Sequence, residues 1–160
     1  MNNKRGAISI SFGMIFSVIL IIAIIGVSFY AINYFLNLGK CAEISLFYQG
    51  FQNEIDEAWS SEIARTTFVG KLPGDIESVC FRESGASGVG EEYEASEDYF
   101  RTGGNMFIYP PERACNQVLI KAKHIDLTGF GWGCFSVRDN RVEIPIEKGS
   151  FDALVKIKKN

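Results

Sequence analysis

Charge is the first thing missing. Across residues 6–39, a run of 34, there is no Asp, Glu, Lys, Arg or His. A water-facing helix keeps a polar stripe, so this absence excludes an ordinary solvent-exposed segment. Histidine is nearly missing as well, His124 being the single one. The four cysteines, Cys41, Cys80, Cys115 and Cys134, form no CxxC pair. Structural zinc sites are built from short-spaced ligand pairs, so zinc is not expected. No Gly-x-Ser-x-Gly, Walker loop, dinucleotide fingerprint or His-Glu-x-x-His occurs. No enzyme, cofactor or metal is therefore expected. A basic excess is absent too. Three of the 16 Lys/Arg residues precede Cys41 and all 19 Asp/Glu follow it, which leaves residues 41–160 at −6. Nucleic acid needs a cationic footprint against its phosphates, and this part has none. Adhesion of the same part to anionic lipid is disfavoured on the same ground.

What is present is concentrated. Hydrophobic residues make up 47% of the chain, and Ile, Val, Leu and Phe dominate the uncharged run. As a helix at about 1.5 Å per residue, that run reaches roughly 50 Å. A bilayer core takes only about 20 residues, so the helix can cross and still project beyond the lipid. Tyr30, Tyr34, Asn33 and Asn37 fall near its end, where amphipathic rings settle among headgroups. The five residues before the run carry only the positive charges of Lys4 and Arg5, and Lys40 alone opposes them. The positive-inside rule then puts the N-terminus in the cytoplasm and the bulk of the chain outside the cell membrane. A removable secretory signal fits poorly. Its apolar stretch should span about 7–15 residues before a small-x-small cut, whereas Gly26-Val27-Ser28 sits inside the run. For an extracytoplasmic domain, an even cysteine count reads as two disulfides, with buried thiols as the alternative. Ser9, Gly13 and Ser17 recur every fourth residue, a small-residue stripe that permits close helix approach in lipid.

The segment Lys4-Arg5-Gly6-Ala7-Ile8-Ser9-Ile10-Ser11-Phe12 resembles the start of archaeal type IV pilin precursors, with their class III signal peptides. Those carry a short basic leader ending in Lys/Arg-Gly, then a hydrophobic helix often opening Gln-Ile-Ser-Ile-Glu-Phe. The resemblance covers about the first 40 residues and extends loosely to short pilin-like membrane proteins of archaea. It implies that a prepilin peptidase cuts after Gly6, with Lys4 and Arg5 as the leader's charges and Ala7 as the new N-terminus. It also implies other pilin-like subunits as partners besides membrane lipid. Ser11 stands where most major pilins have the glutamate that pairs with a neighbour's amino terminus. That departure points to a minor pilin or pseudopilin.

Beyond Gly39, Ile44, Phe47, Phe51, Ile55, Ala58, Trp59 and Ile63 recur at three- and four-residue steps. This predicts an amphipathic helix continuing to about Arg65, with Phe47, Phe51, Ile55 and Trp59 buried by a sheet of the same chain. Strands are expected at 76–81, 105–109, 118–125, 134–137, 141–146 and 151–157. The turn Arg138-Asp139-Asn140 joins two of them, and a short acidic helix is expected near 91–98. The fold class is thus α+β: a long N-terminal helix continuing into an amphipathic helix packed on a small antiparallel sheet, as in pilins. The expected division is a leader at 1–6, a transmembrane helix at 7–39, a protruding helix at 40–66 and a β-rich domain at 67–160.

Four cysteines allow three pairings. Cys80-Phe81 and Cys134-Phe135 repeat one local pattern, so their strands are expected to lie side by side with Cys80 bonded to Cys134, within the roughly 5.5 Å Cα reach of a disulfide. Cys41 and Cys115 then form the remaining pair. His124 reads as a surface or half-buried strand residue, since no acid–base partner is near it in sequence. Glu91, Glu92, Glu94, Glu97 and Asp98 lack the spacing of a calcium loop and read as a solvated face. Phe130 and Trp132 among Gly129, Gly131 and Gly133 read as a tight turn with Trp132 over the core, ahead of an exposed ligand platform. Two functions remain in view: a minor pilin-like filament subunit, and a permanently anchored binding or scaffold domain that is neither processed nor polymerised.

Overall fold

The structure is a computed structural model that describes residues 12–159. The chain divides into two compact units, Met1–Leu38 and Gly39–Asn160. A single helix, α1, covers Phe12–Ser60. In the first unit its large apolar side chains are exposed, Phe12, Ile19, Val27 and Phe35 among them. The helix is long and apolar enough to cross a membrane.

In the second unit the same helix becomes amphipathic and is buried along Ile44, Phe47, Tyr48, Phe51, Ile55 and Ala58. These positions recur at three- and four-residue steps, which is one face of a helix. Two four-stranded sheets receive that face, where the sequence suggested one. The first has the order β1 (Ala64–Lys71), β7 (Arg141–Lys148), β8 (Val155–Ile157), β5 (Ile125–Asp126). Its β5–β8 pair is parallel and the others antiparallel. The second, antiparallel throughout, has the order β4 (Leu119–Ile120), β3 (Met106–Tyr109), β2 (Ser78–Arg82), β6 (Trp132–Ser136).

Phe51 joins the helix to both sheets. Its ring lies 5.3 Å from that of Phe68 on β1 and 5.6 Å from that of Phe81 on β2. Phe81 in turn meets Phe135 at 5.9 Å and Phe130 at 6.3 Å, both edge-on. The other face of the second sheet is covered by the acidic helix α2, Glu91–Phe100. Tyr99 and Phe100 pack on Phe107, and Tyr93 and Phe100 meet the Trp132 ring. The Arg82 guanidinium sits over Tyr93 and Phe100.

Three expectations need correction. The helix ends at Ser60 rather than near Arg65, and Ala64–Lys71 is a strand. Thr66, Thr67 and Val69 favour extended backbone, and Phe68 and Gly70 alternate inward against α1. A Cβ on Gly70 would overlap the Phe47 ring, so glycine there permits the close approach. Lys148 fixes the stop by donating to the carbonyls of Trp59 and Ser61, each at 2.6 Å, which satisfies acceptors the helix end leaves free. The second correction is that the expected strand at 118–125 is two short ones, β4 and β5, separated by a turn with His124 at φ 61°. The third is that Trp59 is 42% exposed and Ile63 is 67% exposed, so neither belongs to the buried stripe. Ala58 takes the inward position beside them.

Candidate functional site

Two disulfides staple the second unit. Cys41 on α1 is bonded to Cys115, with Cα atoms 5.5 Å apart. Cys80 and Cys134 stand opposite each other on β2 and β6 and are bonded. These are the two pairs that the matching Cys-Phe segments suggested. Closing loops of 74 and 54 residues restricts the unfolded chain, which suits a small domain.

Around the Cys41 end the charges converge. Lys40 donates to Asp75 at 2.6 Å, and Arg113 approaches the same oxygen at 4.0 Å. The Lys40 hydrogen bond holds the Asp75 carboxyl below its ordinary range against the opposing effect of burial. Tyr48 donates to the Gln117 carbonyl at 2.6 Å, and Ser45 and Gln117 hydrogen bond to each other. Burial pushes the Tyr48 hydroxyl well above its usual value. Asp75, Arg113, Gln117 and the disulfide thus tie the 110–117 loop and the 75 turn to one stretch of helix.

Farther along α1, a second cluster gathers around His124. Its Nδ1 lies 2.8 Å from Asp56 Oδ1, and its ring stacks on Trp59 at 3.9 Å and 5°. Gln52 donates to Asp56 and accepts from the Lys123 N–H. The His124 hydrogen bond is the main cause that lowers the Asp56 carboxyl. Sequence proximity hid this pair because the partners are 68 residues apart. No hydroxyl or thiol joins the pair by a hydrogen bond among the described residues, so the arrangement lacks the nucleophile of a triad. It acts as a clamp between helix and turn.

The other candidate residues are distributed as follows. Among the described residues no three His, Cys, Asp or Glu side chains converge as a metal site would require. Glu91, Glu94, Glu97 and Asp98 of α2 are exposed to solvent, and Asp98 meets Arg101 at 3.6 Å. Trp132 is half-buried under Tyr93 and Phe100, and Phe130 lies in the core, so the glycine-flanked turn packs inward. Of the small-residue stripe, Gly13 and Ser17 lie in α1, where the Ser17 hydroxyl donates to the Gly13 carbonyl at 2.8 Å. Ser28 bonds the Ile24 carbonyl in the same way. Both hydroxyls are thereby satisfied within the helix. Lys4, Arg5, Gly6, Ala7, Ser9 and Ser11 lie outside the described residues.

No protein-family model, curated protein or solved structure matches this chain.

Proposed function

We propose that the chain is a minor pilin-like subunit of a type IV pilus-like surface filament, anchored by α1 in the cell membrane with the β-rich unit outside. The observation that supports this reading best is the change of character along α1. Its first half leaves every large apolar side chain uncovered, and its second half is buried under sheets of the same chain and stapled by Cys41 to the 110–117 loop. A helix so divided suits an apolar half that exchanges lipid for neighbouring helices, while the folded half keeps its own core. The stripe at Ser9, Gly13 and Ser17 suits close helix approach, and Lys4-Arg5-Gly6-Ala7 suits a cut after glycine.

Ser11 favours the second reading, a permanently anchored scaffold, since a hydroxyl offers no charge to a neighbour's amino group. The mature N-terminus separates the two. Mass spectrometry of protein from native membranes, or from cells co-expressing a prepilin peptidase, should find Ala7 at the start, and Gly6→Val should block the cut. An intact Met1 unaffected by Gly6→Val would replace the filament reading with the permanent anchor.

A further inference from the structure

Strands β6 and β7 are joined by a two-residue turn, with Asp139 at φ 51° and Asn140 at φ 59°. Arg138 and Arg141 exchange both backbone hydrogen bonds across it, at 2.8 and 2.9 Å. An ordinary hairpin would next pair Ser136 with Glu143, but the ladder stops after one step. Two facts account for the parting. Pro145 has no N–H to give β6, and its carbonyl is already taken by the Lys158 N–H as β8 pairs with β7. β6 then turns away to pair with β2 in the other sheet.

The parting leaves β6 with a free edge. In the β2–β6 register, Glu83 donates to the Gly131 carbonyl and Val137 donates to the Glu77 carbonyl. Antiparallel pairs alternate between bonded and non-bonded, so Phe81–Gly133 and Val79–Phe135 are the bonded pairs between them. Trp132, Cys134 and Ser136 therefore turn their N–H and C=O groups away from β2. Cys134 and Ser136 are exposed, and among the described residues β6 has no second strand partner. Beside this edge lies a cleft of about 850 Å³, lined by β6 together with Phe130, Arg138, Asp139, Arg141, Glu143 and Lys159, so three cations outnumber two carboxylates there. Lys159 lies over the Phe130 ring at 4.8 Å. None of Arg138, Arg141 and Lys159 forms an ion pair among the described residues.

The geometry points to a docking site for an extended, acidic peptide strand of another protein, added along the free edge of β6. The main-chain donors and acceptors of Trp132, Cys134 and Ser136 supply the hydrogen bonds of strand addition. The three cations select carboxylates at alternate positions of the incoming strand, whose side chains fall on one face every second residue. A second copy of this chain is a poor occupant. Two-fold antiparallel pairing of β6 with itself about Cys134 sets Arg138 of one copy opposite Phe130 of the other, beside the Lys159 that lies over that ring, so cation meets cation. The other long edge, β1, is itself cationic, with Arg65 and Lys71 exposed.

The test uses the full-length protein in nanodiscs of zwitterionic lipid and three labelled hexapeptides read by fluorescence anisotropy: alternating glutamate–valine, alternating lysine–valine, and the glutamate peptide N-methylated along one edge. The glutamate peptide should bind with a Kd below about 1 mM and weaken as salt is raised. The lysine and N-methylated peptides should bind at least about tenfold more weakly, as should the glutamate peptide to the Arg138→Glu/Arg141→Glu variant. Ser136→Pro removes one outward N–H without touching the bonds to β2 and should weaken binding likewise. Arg138 and Arg141 side chains are outside the core, so near-ultraviolet circular dichroism of their variant should match the parent. Equal binding of all three peptides, no binding up to about 1 mM, or binding indifferent to the charge reversal would overturn the site. Concentration-dependent self-association that disappears in the Arg138→Glu/Arg141→Glu variant would assign the edge to a second copy and overturn it equally. None of these readouts depends on whether the leader is cut or a filament forms.

Discussion

Replacing Phe51 by alanine tests the packing of α1 most directly, with Trp59→Ala as its internal control. Phe51 is fully buried, and its ring meets those of Phe47, Phe68 and Phe81 at 6.4, 5.3 and 5.6 Å. The lost transfer energy and the cavity add, because helix and both sheets would have to move together to refill the space. The expected cost is about 3–5 kcal/mol, toward the upper end. Trp59 is 42% exposed, stacks one face on His124 and donates to the Ala153 carbonyl at 3.0 Å. Its truncation forfeits one half-solvated stacking contact and one hydrogen bond, about 1–2 kcal/mol together. For a domain of this size the first loss lowers Tm by roughly 10–20 °C and the second by about 3–8 °C. Thermal unfolding of the nanodisc-held chain, followed by near-ultraviolet circular dichroism with disulfides intact, measures both. Equal losses for the two variants, or a larger one for Trp59, would refute the assignment of Phe51 as the joint between helix and sheets.

Acid should loosen the Cys41 end of the unit. The native Asp75 carboxyl is lowered mainly by its hydrogen bond from Lys40. Its stabilising effect is therefore present above the ordinary carboxylate pKa and is lost as pH falls below it. Asp75→Asn should flatten the acid limb of a Tm-against-pH curve while leaving neutral pH little changed in slope. Removing the longer staple with Cys41→Ser/Cys115→Ser should cost about 4 kcal/mol by loop entropy, read as a fall in Tm that reducing agent does not deepen to the same extent as in the parent. Lys148→Met should remove the cap on the Trp59 and Ser61 carbonyls at a cost of about 1 kcal/mol, with faster amide exchange confined to the last turn of α1 and the start of β1.

Local periodicity made much of the fold legible. The three- and four-residue spacing of Ile44, Phe47, Phe51, Ile55 and Ala58 marks the face that is buried. Asp139 and Asn140 tolerate the left-handed backbone the turn needs. The end of α1 was harder, because Trp59 and Ile63 continue the apolar rhythm into solvent. Nothing local says that Lys148 will reach back to close the helix. The signal available was the β-branched run Thr66, Thr67 and Val69, within which Arg65, Thr67, Val69 and Lys71 fall on one face and Thr66, Phe68 and Gly70 on the other. The break between β4 and β5 was hidden for a similar reason. The alternating residues 118–125 read as one strand, and only the tertiary pull on His124 by Asp56 and Trp59 turns that residue to positive φ.

The candidate surfaces divide along the same line between local and long-range causes. The cysteine pairing was readable because Cys80-Phe81 and Cys134-Phe135 repeat one strand pattern, and neighbouring strands bring equivalent positions together. The free edge of β6 was not readable, although Cys134, Phe135 and Ser136 were assigned to a strand. A strong turn at Asp139 and Asn140 argues for an ordinary hairpin, in which β7 would satisfy β6. The hairpin is undone by competition: β8 arrives from residues 155–157, and Pro145 has no donor to offer. A proline in the middle of the second arm of an expected hairpin was the one signal in the sequence that the ladder would be short. Restoring the donor separates the two causes. The Pro145 carbonyl already accepts from the Lys158 N–H, so the N–H of Pro145→Val faces the Lys158 carbonyl and should complete that β7–β8 pair rather than reach β6. Stronger amide protection at Lys158 with none added at Trp132, Cys134 and Ser136, measured by hydrogen exchange, is the expected result. Added protection at Trp132, Cys134 and Ser136 would mean that the missing donor, rather than the pairing of β8 with β7, holds the two strands apart.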